Sequence, residues 1–309
     1  MAYKISVCLI LFCACNMPAP YVHAGFSKDG VGTASSQILK LGAGARAAGM
    51  GNAFAAVADD PSAVYWNPGG LAGVKKESVS FMHAILIEDI SYDWLAYVQP
   101  LSAGTFGAGI QRLSYGDIME TDETGLDAEN FTPGETAGTL SYGVGSGNFG
   151  FGASLKYISG KIKKSASAIA ADIGGKYGIS PDGGFSLGFV LQNIGGKIKY
   201  VSESDPLPLN LKIGTAYKPG NNWTVSADTD MPSDSALRFS LGSEYGMKLG
   251  GGLTISWRAG YNNWTQDLGG LAGFAAGVGG NCEGLALDYA FVPFGGLGNT
   301  HKISLSIDF

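Results

Sequence analysis

Cysteine is nearly absent from most of this chain of 309 residues. Three of its four cysteines, Cys8, Cys13 and Cys15, lie close to the start, and only Cys282 occurs later. A single thiol cannot form an intramolecular disulfide or a cysteine-based zinc cluster. The sequence therefore excludes a disulfide-stabilised fold, and we expect no metal and no cofactor.

Charge is also scarce, since charged residues make up 15% of the chain and the formal net charge is −6. No basic cluster exceeds two adjacent residues, whereas nucleic-acid binding requires a basic patch or stripe. Beyond the first residues there is no apolar run of about 18 residues, the length that a membrane-spanning helix needs. These absences exclude a nucleic-acid-binding protein and an ordinary helical membrane protein.

Catalytic motifs are lacking as well. The chain has three histidines, and His83 and His301 both fall in alternating strand patterns. No Gly-x-Ser-x-Gly element marks a hydrolase nucleophile. The sequence does not predict an enzyme.

Residues 1–24 have the organisation of a signal peptide. Lys4 supplies the positive charge, residues 5–14 form the apolar core, and Val22-His23-Ala24 precedes the expected cleavage at Gly25. We therefore expect the chain to be exported.

Glycine is abundant, at 49 residues, and most of the chain after residue 77 alternates between apolar and polar positions. At the end of the chain, Ile303, Leu305, Ile307 and Phe309 share one face of such a pattern. A strand that ends on phenylalanine resembles the C-terminal assembly signal of outer-membrane barrels. Fourteen strands are predicted, near 78–87, 90–100, 104–115, 135–146, 148–160, 168–180, 184–194, 207–218, 221–230, 236–247, 251–261, 270–281, 284–294 and 300–309.

The predicted connections alternate between longer loops and tight turns, which is typical of transmembrane β-barrels. An even number of strands of about 9–11 residues fits the same class. The sequence thus predicts an all-β fold, a transmembrane antiparallel barrel over residues 78–309. The tight turns and the C-terminus are expected on the periplasmic side.

Residues 25–77 do not alternate and are rich in small side chains. Asp60 followed by Pro61 predicts the start of a short helix over residues 61–66, because aspartate favours the N-cap and proline the first helical position. Asn67-Pro68 ends it, since the residue before proline avoids helical geometry. We expect Asp59 and Asp60 to cap this helix or to form hydrogen bonds within residues 25–77. The alternative is that they bind a cation.

Residues 41–71 resemble the start of PorV/PorQ-family proteins, which belong with the FadL-like outer-membrane barrels. The resemblance rests on G-A-R-A-A-G-M-G-x-A-F-x-A-V-A-D-D, which begins at Gly44, and on W-N-P-x-G-L, which begins at Trp66. Gly69 stands where the family usually has alanine. The resemblance implies a fourteen-stranded barrel with residues 25–77 folded inside as a plug.

The candidate site residues form three groups. The plug motif supplies Arg46, Asp59, Asp60, Asn67 and Pro68, and Phe309 is the expected assembly signal. The charges expected to point into the lumen either anchor the plug or line a polar path; they include Asp228, Arg238, Glu244, Arg258 and Asp288.

The resemblance implies an outer-membrane protein that handles secreted clients in type IX secretion. The alternative is a FadL-like channel for hydrophobic small molecules. That function needs an apolar pocket, to which Leu39, Leu41, Met50, Phe54 and Tyr65 are expected to contribute. Expected partners are outer-membrane lipid and lipopolysaccharide, the barrel-assembly machinery, and a secreted client or hydrophobic ligand.

Overall fold

The computed structural model of the chain describes residues 30–88, 90–121, 124, 130–179 and 184–309. The predicted signal peptide, the predicted tight turn at 181–183 and much of the loop at 116–134 lie outside these ranges. Within them, no helix is long and apolar enough to span a membrane.

Fourteen antiparallel strands close into a barrel, in which the first strand pairs with the last through Ser78 opposite Asp308. Two further strands, β8 and β9, form a separate small hairpin. The sixteen strands are β1 (Ser78–Ile85), β2 (Ser91–Leu101), β3 (Gly104–Ser114), β4 (Gly134–Ser146), β5 (Phe149–Lys161), β6 (Ser165–Gly178), β7 (Phe185–Gly195), β8 (Lys197–Ile198), β9 (Asp205–Pro206), β10 (Asn210–Tyr217), β11 (Trp223–Pro232), β12 (Arg238–Gly250), β13 (Leu253–Asn262), β14 (Phe274–Cys282), β15 (Leu285–Pro293) and β16 (Asn299–Asp308).

The predicted barrel and its strand count are confirmed, and the barrel strands differ from the prediction at their ends. Strand β10 begins at Asn210 instead of residue 207, because Pro208 lacks the N–H that a strand ladder requires. The β8–β9 hairpin, paired through Lys197 and Pro206, was not predicted. Its strands are two residues long, too short for an alternating pattern to reveal them.

The two faces of the barrel wall differ in polarity. Along β16, Ile303 and Leu305 are exposed on the outside, whereas Lys302 and Ser304 are buried on the inside. The same alternation recurs in most of the other barrel strands, so the outer surface is a continuous apolar belt. Such a belt suits lipid hydrocarbon and not water.

The connections sort into two ends of the barrel. One end, here called the long-loop end, includes the connections at 115–133, 196–209 and 263–273. The other, the short-turn end, includes those at 102–103 and 251–252. The C-terminus of β16 lies at the short-turn end.

The residues before β1 form the N-terminal segment, defined here as residues 30–77. It contains helices α1 (Ala45–Gly49) and α2 (Ala63–Trp66) and 3-10 turns at Gln37–Lys40 and Pro68–Gly73. Helix α1 contacts β13 to β16, and the turn at Pro68–Gly73 contacts β3 to β6 on another part of the ring. The segment therefore packs against the inner wall at widely separated strands.

Helix α2 begins later than the sequence predicts. Ser62, not Asp60, occupies the N-cap position. The Asp60 carboxylate instead accepts a hydrogen bond of 2.8 Å from the backbone N–H of Ser62 and so closes the preceding turn. Aspartate readily makes such local turns, which compete with the helical cap.

Backbone packs directly on backbone where the N-terminal segment crosses β13. A Cβ placed at Gly260 would lie 2.0 Å from the amide nitrogen of Gly51 and 2.3 Å from the carbonyl carbon of Met50. Gly51 itself has φ +63°, a conformation that other residues rarely adopt. This contact therefore requires glycine on both sides.

Gly260→Ala is expected to displace the N-terminal segment and to destabilise the protein by about 1–3 kcal/mol, the usual cost of overpacking. Thermal unfolding and protease digestion of the folded protein measure this, and cleavage should appear within residues 30–77. Gly280→Ala on β14 is the matched control, because a Cβ there meets nothing within 4 Å. Equal stability of the two variants would contradict the close contact.

Candidate functional site

Strand β11 anchors the N-terminal segment through its backbone. The buried carboxylate of Asp228 accepts hydrogen bonds of 2.8 and 2.9 Å from the amides of Phe54 and Ala55. The hydroxyl of Ser226 donates a bond of 2.7 Å to the carbonyl of Ala53. Small polar side chains on the wall thus form hydrogen bonds with the backbone of a stretch that is neither helix nor strand.

Strand β6, separated from β11 by β10 and β7, also binds the segment. The ammonium of Lys176 donates to the carbonyls of Val57 and Ala58 at 2.8 and 3.0 Å. Asn67 donates to the carbonyl of Gly175 at 3.0 Å, while its own oxygen accepts from the amide of Gly69 at 3.0 Å. Pro68 follows Asn67 and lies so close to β5 that a Cβ at Gly152 would be 2.2 Å from its carbonyl oxygen.

A chain of ion pairs runs from the segment across the wall. Arg46 of helix α1 binds Glu244 through two bonds of 2.8 and 2.9 Å. Its Nη1 also lies 2.7 Å from Asp59 and 2.9 Å from Asp60. On β13, Arg258 continues the chain and binds Glu244 at 2.6 Å and Asp288 at 2.7 Å. We name these six residues the Arg46 network.

The network shifts the pKa values of Asp59 and Arg46 in the directions that favour their charged forms. Burial opposes ionisation of Asp59, but the charge of Arg46, with those of Lys176 and Lys218, outweighs burial and lowers the pKa of its carboxyl. Burial also disfavours the Arg46 guanidinium, yet Asp59 and Glu244 outweigh it and raise its pKa. Both groups are therefore charged throughout the physiological range, and the network holds helix α1 against the wall.

Two further buried pairs occupy the wall near helix α2. Lys156 lies 2.6 Å from Asp172, and Lys212 lies 2.7 Å from Asp230. The Lys212 ammonium also lies 5.1 Å from the centre of the Trp66 ring, a cation–π distance. These pairs balance charge between neighbouring strands, which is what buried ions require.

A cavity of about 430 Å³ opens at the long-loop end, between the N-terminal segment and the connections of the barrel. We call it the mouth cavity. Each of four connections contributes a bulky side chain to it, namely Ile87, Tyr115, Trp264 and Phe294. Leu41 and Gly42 of the segment line it as well. Its walls are mainly apolar, and among the described residues no carboxylate lines it.

Three cations line the mouth cavity, each in a different setting. Lys40 pairs with Asp234, and burial lowers the pKa of the Lys40 ammonium despite that pair. The Arg238 guanidinium lies 4.7 Å from the centre of the Trp264 ring. Lys302 has one hydrogen bond, of 3.4 Å, to the carbonyl of Gly42. The cavity therefore combines apolar walls with positively charged side chains.

The structure brings some of the predicted site residues together and separates others. Asp59, Asp60 and Glu244 meet at Arg46, and Arg258 links Glu244 to Asp288. Asp228 acts separately on the segment's backbone, and Arg238 lies at the mouth cavity. Phe309 is exposed beyond β16, where its amide donates to the carbonyl of Glu77 at 2.8 Å.

The expected apolar pocket has a different lining from the one that the sequence indicates. Leu41 lines the mouth cavity, whereas Met50 and Phe54 are fully buried in the core. Leu39 and Tyr65 line only a smaller cavity of about 30 Å³. The cavity-lining residues in the connections were not predicted. The sequence signal for them was one bulky side chain beside each of four loops.

Solved structures that share this architecture include two toluene transporters. The toluene transporter TodX of Pseudomonas putida superposes with a TM-score of 0.59 at 13% identity, covering 86% of this chain and 97% of TodX. The toluene transporter TbuX of Ralstonia pickettii gives a TM-score of 0.50 at 13% identity, covering 86% of this chain and 97% of TbuX. Among curated proteins, none matches the sequence.

Fold and neighbours together define a fourteen-stranded outer-membrane β-barrel. The family model described as type IX secretion system protein PorV matches residues 26–222, more than half of the chain. The chain belongs to the PorV family. This family and this fold are those of transport and secretion barrels.

Asp59→Asn is expected to lower the free energy of unfolding at pH 7 by roughly 1 kcal/mol, because the lost pair with Arg46 is partly exposed to solvent. The pKa of Asp59 in the folded protein lies below its value in the unfolded chain. Its ionisation therefore stabilises the fold above about pH 4 and loses this effect as the pH falls through the lowered pKa.

Denaturant unfolding of the variant and the parent at pH 7 and in progressively stronger acid tests this expectation. The difference should shrink towards zero on acidification. Asp205→Asn in the exposed β8–β9 hairpin serves as the control for loss of one charge. A deficit that stays constant down to strong acid would contradict the role assigned to Asp59.

Proposed function

We propose that this barrel receives secreted proteins at the cell surface and holds an apolar segment of each client in the mouth cavity. The observation that carries the proposal is an apolar cavity of about 430 Å³ whose base is formed by the N-terminal segment. A cavity that is closed at its base suits the reception of a client from one face better than passage of a molecule through the barrel. Membership of the PorV family supports a role in secretion.

The proposal requires the long-loop end to face outward. Long external loops and short periplasmic turns are the usual arrangement of outer-membrane barrels. In this orientation the C-terminus and Phe309 lie on the periplasmic side, where the barrel-assembly machinery would bind the last strand. The mouth cavity then faces the exterior, where an exported client arrives.

The N-terminal segment acts in this proposal as a plug. Its buried backbone is bound by Asp228 on β11 and Lys176 on β6, and Arg46 ties it to Glu244 on β12. A fourteen-strand barrel is wider than the roughly eight strands that wall side chains alone can fill. Without the segment the lumen would therefore hold water and ions.

The intact protein should conduct ions poorly in a planar bilayer, and a form that lacks residues 30–77 should conduct as an open pore. Single-channel recording of both forms measures this, with resistance to unfolding in detergent as the check that each is a barrel. The Gly280→Ala variant should show the same low conductance as the intact protein. Equal conductance of the intact and shortened forms would show that the segment does not close the lumen.

Filling the mouth cavity should block client reception without disturbing the barrel. In the double variant Ile87→Trp with Thr265→Trp, two residues that line the cavity from loops become bulky. Surface-attached and released proteins should fall several-fold in cells that carry this variant, while their precursors accumulate in the periplasm. Quantitative mass spectrometry of both fractions gives the answer.

The matched control is Leu297→Trp, which adds the same side chain to an exposed loop position at the same end. It should leave secretion unchanged. Normal secretion by a folded double variant would overturn the proposed function.

A second candidate is the binding and passage of hydrophobic small molecules. The cavity volume falls within the usual range of about 300–1,000 Å³ for small-molecule pockets, and TodX and TbuX are described as toluene transporters. In that case the filled cavity would abolish uptake of aromatic hydrocarbons and leave secretion intact. The two functions thus give opposite results with the same variant.

A further inference from the structure

Lys302 differs from the other deeply buried lysines of the barrel wall. Lys156, Lys212 and Lys302 are 1%, 2% and 8% exposed, respectively. The first two have carboxylates at 2.6 and 2.7 Å, on Asp172 and Asp230. Lys302 has no carboxylate partner among the described residues, so its charge is buried without a counter-charge.

The hydrogen bonding of Lys302 is also incomplete. Its ammonium has three donors, and the structure assigns it one bond, to the carbonyl of Gly42 at 3.4 Å. That distance exceeds the usual N–H···O range of about 2.7–3.2 Å. Its neighbours across the ladder are Ala84 on β1 and Ala290 on β15, and neither side chain can accept a hydrogen bond.

The side chain nevertheless lines a space large enough for an occupant. Lys302 borders the mouth cavity beside Gly42 and Thr300, while Leu41, Leu113 and Trp264 supply apolar walls. A buried ammonium is costly unless it is paired and hydrogen-bonded. An occupant that brings a carboxylate to Lys302 would remove that cost and place its apolar part against the walls.

We propose that Lys302 and the adjoining part of the mouth cavity form a subsite for a carboxylate joined to an apolar group. This inference rests on the proposed function, because it specifies the chemistry of what the cavity holds. The carboxylate comes from an acidic residue or chain end of a client, or from a small apolar acid. Charge pairing at Lys302 is common to both sources.

The test uses the full mature protein in lipid nanodiscs and a fluorescent probe, dansyl-aminoundecanoate, with empty nanodiscs as the blank. The methyl ester of the same probe removes the charge and keeps the apolar body. The acid should bind roughly 10–100 times more tightly than the ester, since a hydrogen bond to a charged group contributes about 1.5–3 kcal/mol. Equal affinities would overturn the subsite.

Lys302→Met keeps the length of the side chain and leaves no carboxylate unpaired, so the barrel should fold as before. It should lose most of the preference for the acid while still binding the ester, and Lys302→Arg should retain the preference. Lys197→Met, at an exposed position on β8, is the control and should behave as the parent. A preference that persists in Lys302→Met would assign the charge recognition elsewhere and overturn the proposal.

Competition separates the two sources of carboxylate. Displacement of the probe by an apolar peptide with a free C-terminal carboxylate, but not by its amide, would support a protein client. Displacement by dodecanoate alone would support a small apolar acid. Failure of the proposed function is recognised separately: Ile87→Trp with Thr265→Trp would secrete normally, whatever charge preference the probe shows at Lys302.

Discussion

The bidentate pair between Arg46 and Glu244 fixes helix α1 of the N-terminal segment to the barrel wall. Helix α1 is only five residues long, and so short a helix is not stable by itself in water. Arg46 fixes the helix to Glu244 on β12. Asp59, which lies later in the N-terminal segment, pairs with the same guanidinium. The position of the mouth cavity floor follows from this attachment, because Leu41 and Gly42 lead directly into the helix.

Sequence periodicity predicted the barrel well, because each strand faces two different environments. The alternation of Leu285, Leu287 and Tyr289 with Asp288 required only that one side meet an apolar medium and the other a polar interior. Strand ends were less predictable, since they depend on local backbone chemistry. Pro208 delayed the start of β10, and the β8–β9 hairpin was too short to leave any pattern.

The N-terminal segment was harder to predict from its residues alone. Its side chains are small and its backbone irregular, so it owes its shape to the wall that surrounds it. Asp60 illustrates the difficulty, because its carboxylate had two local hydrogen-bonding choices and the turn prevailed over the helix cap. The charged residues were all visible in sequence, yet which of them would meet at Arg46 depended on strand neighbours.

The mouth cavity was the least predictable feature, because its lining comes from loops that are far apart along the chain. Trp264 falls outside the predicted strands and Tyr115 ends one of them, and only closure of the barrel brings them together. Lys302 does fall in a clear strand pattern, but nothing in that pattern distinguishes it from Lys156 or Lys212. The distinction lies in the neighbouring strands: Lys156 and Lys212 reach Asp172 and Asp230 there, whereas the residues opposite Lys302 are Ala84 and Ala290.

Pairing of β1 with β16 has a consequence for the order of assembly. The N-terminal segment contacts β3 to β6 and also β13 to β16, and it joins β1 directly. Because the segment contacts strands on both sides of the seam through Ser78 and Asp308, we expect it to be seated before the first and last strands pair.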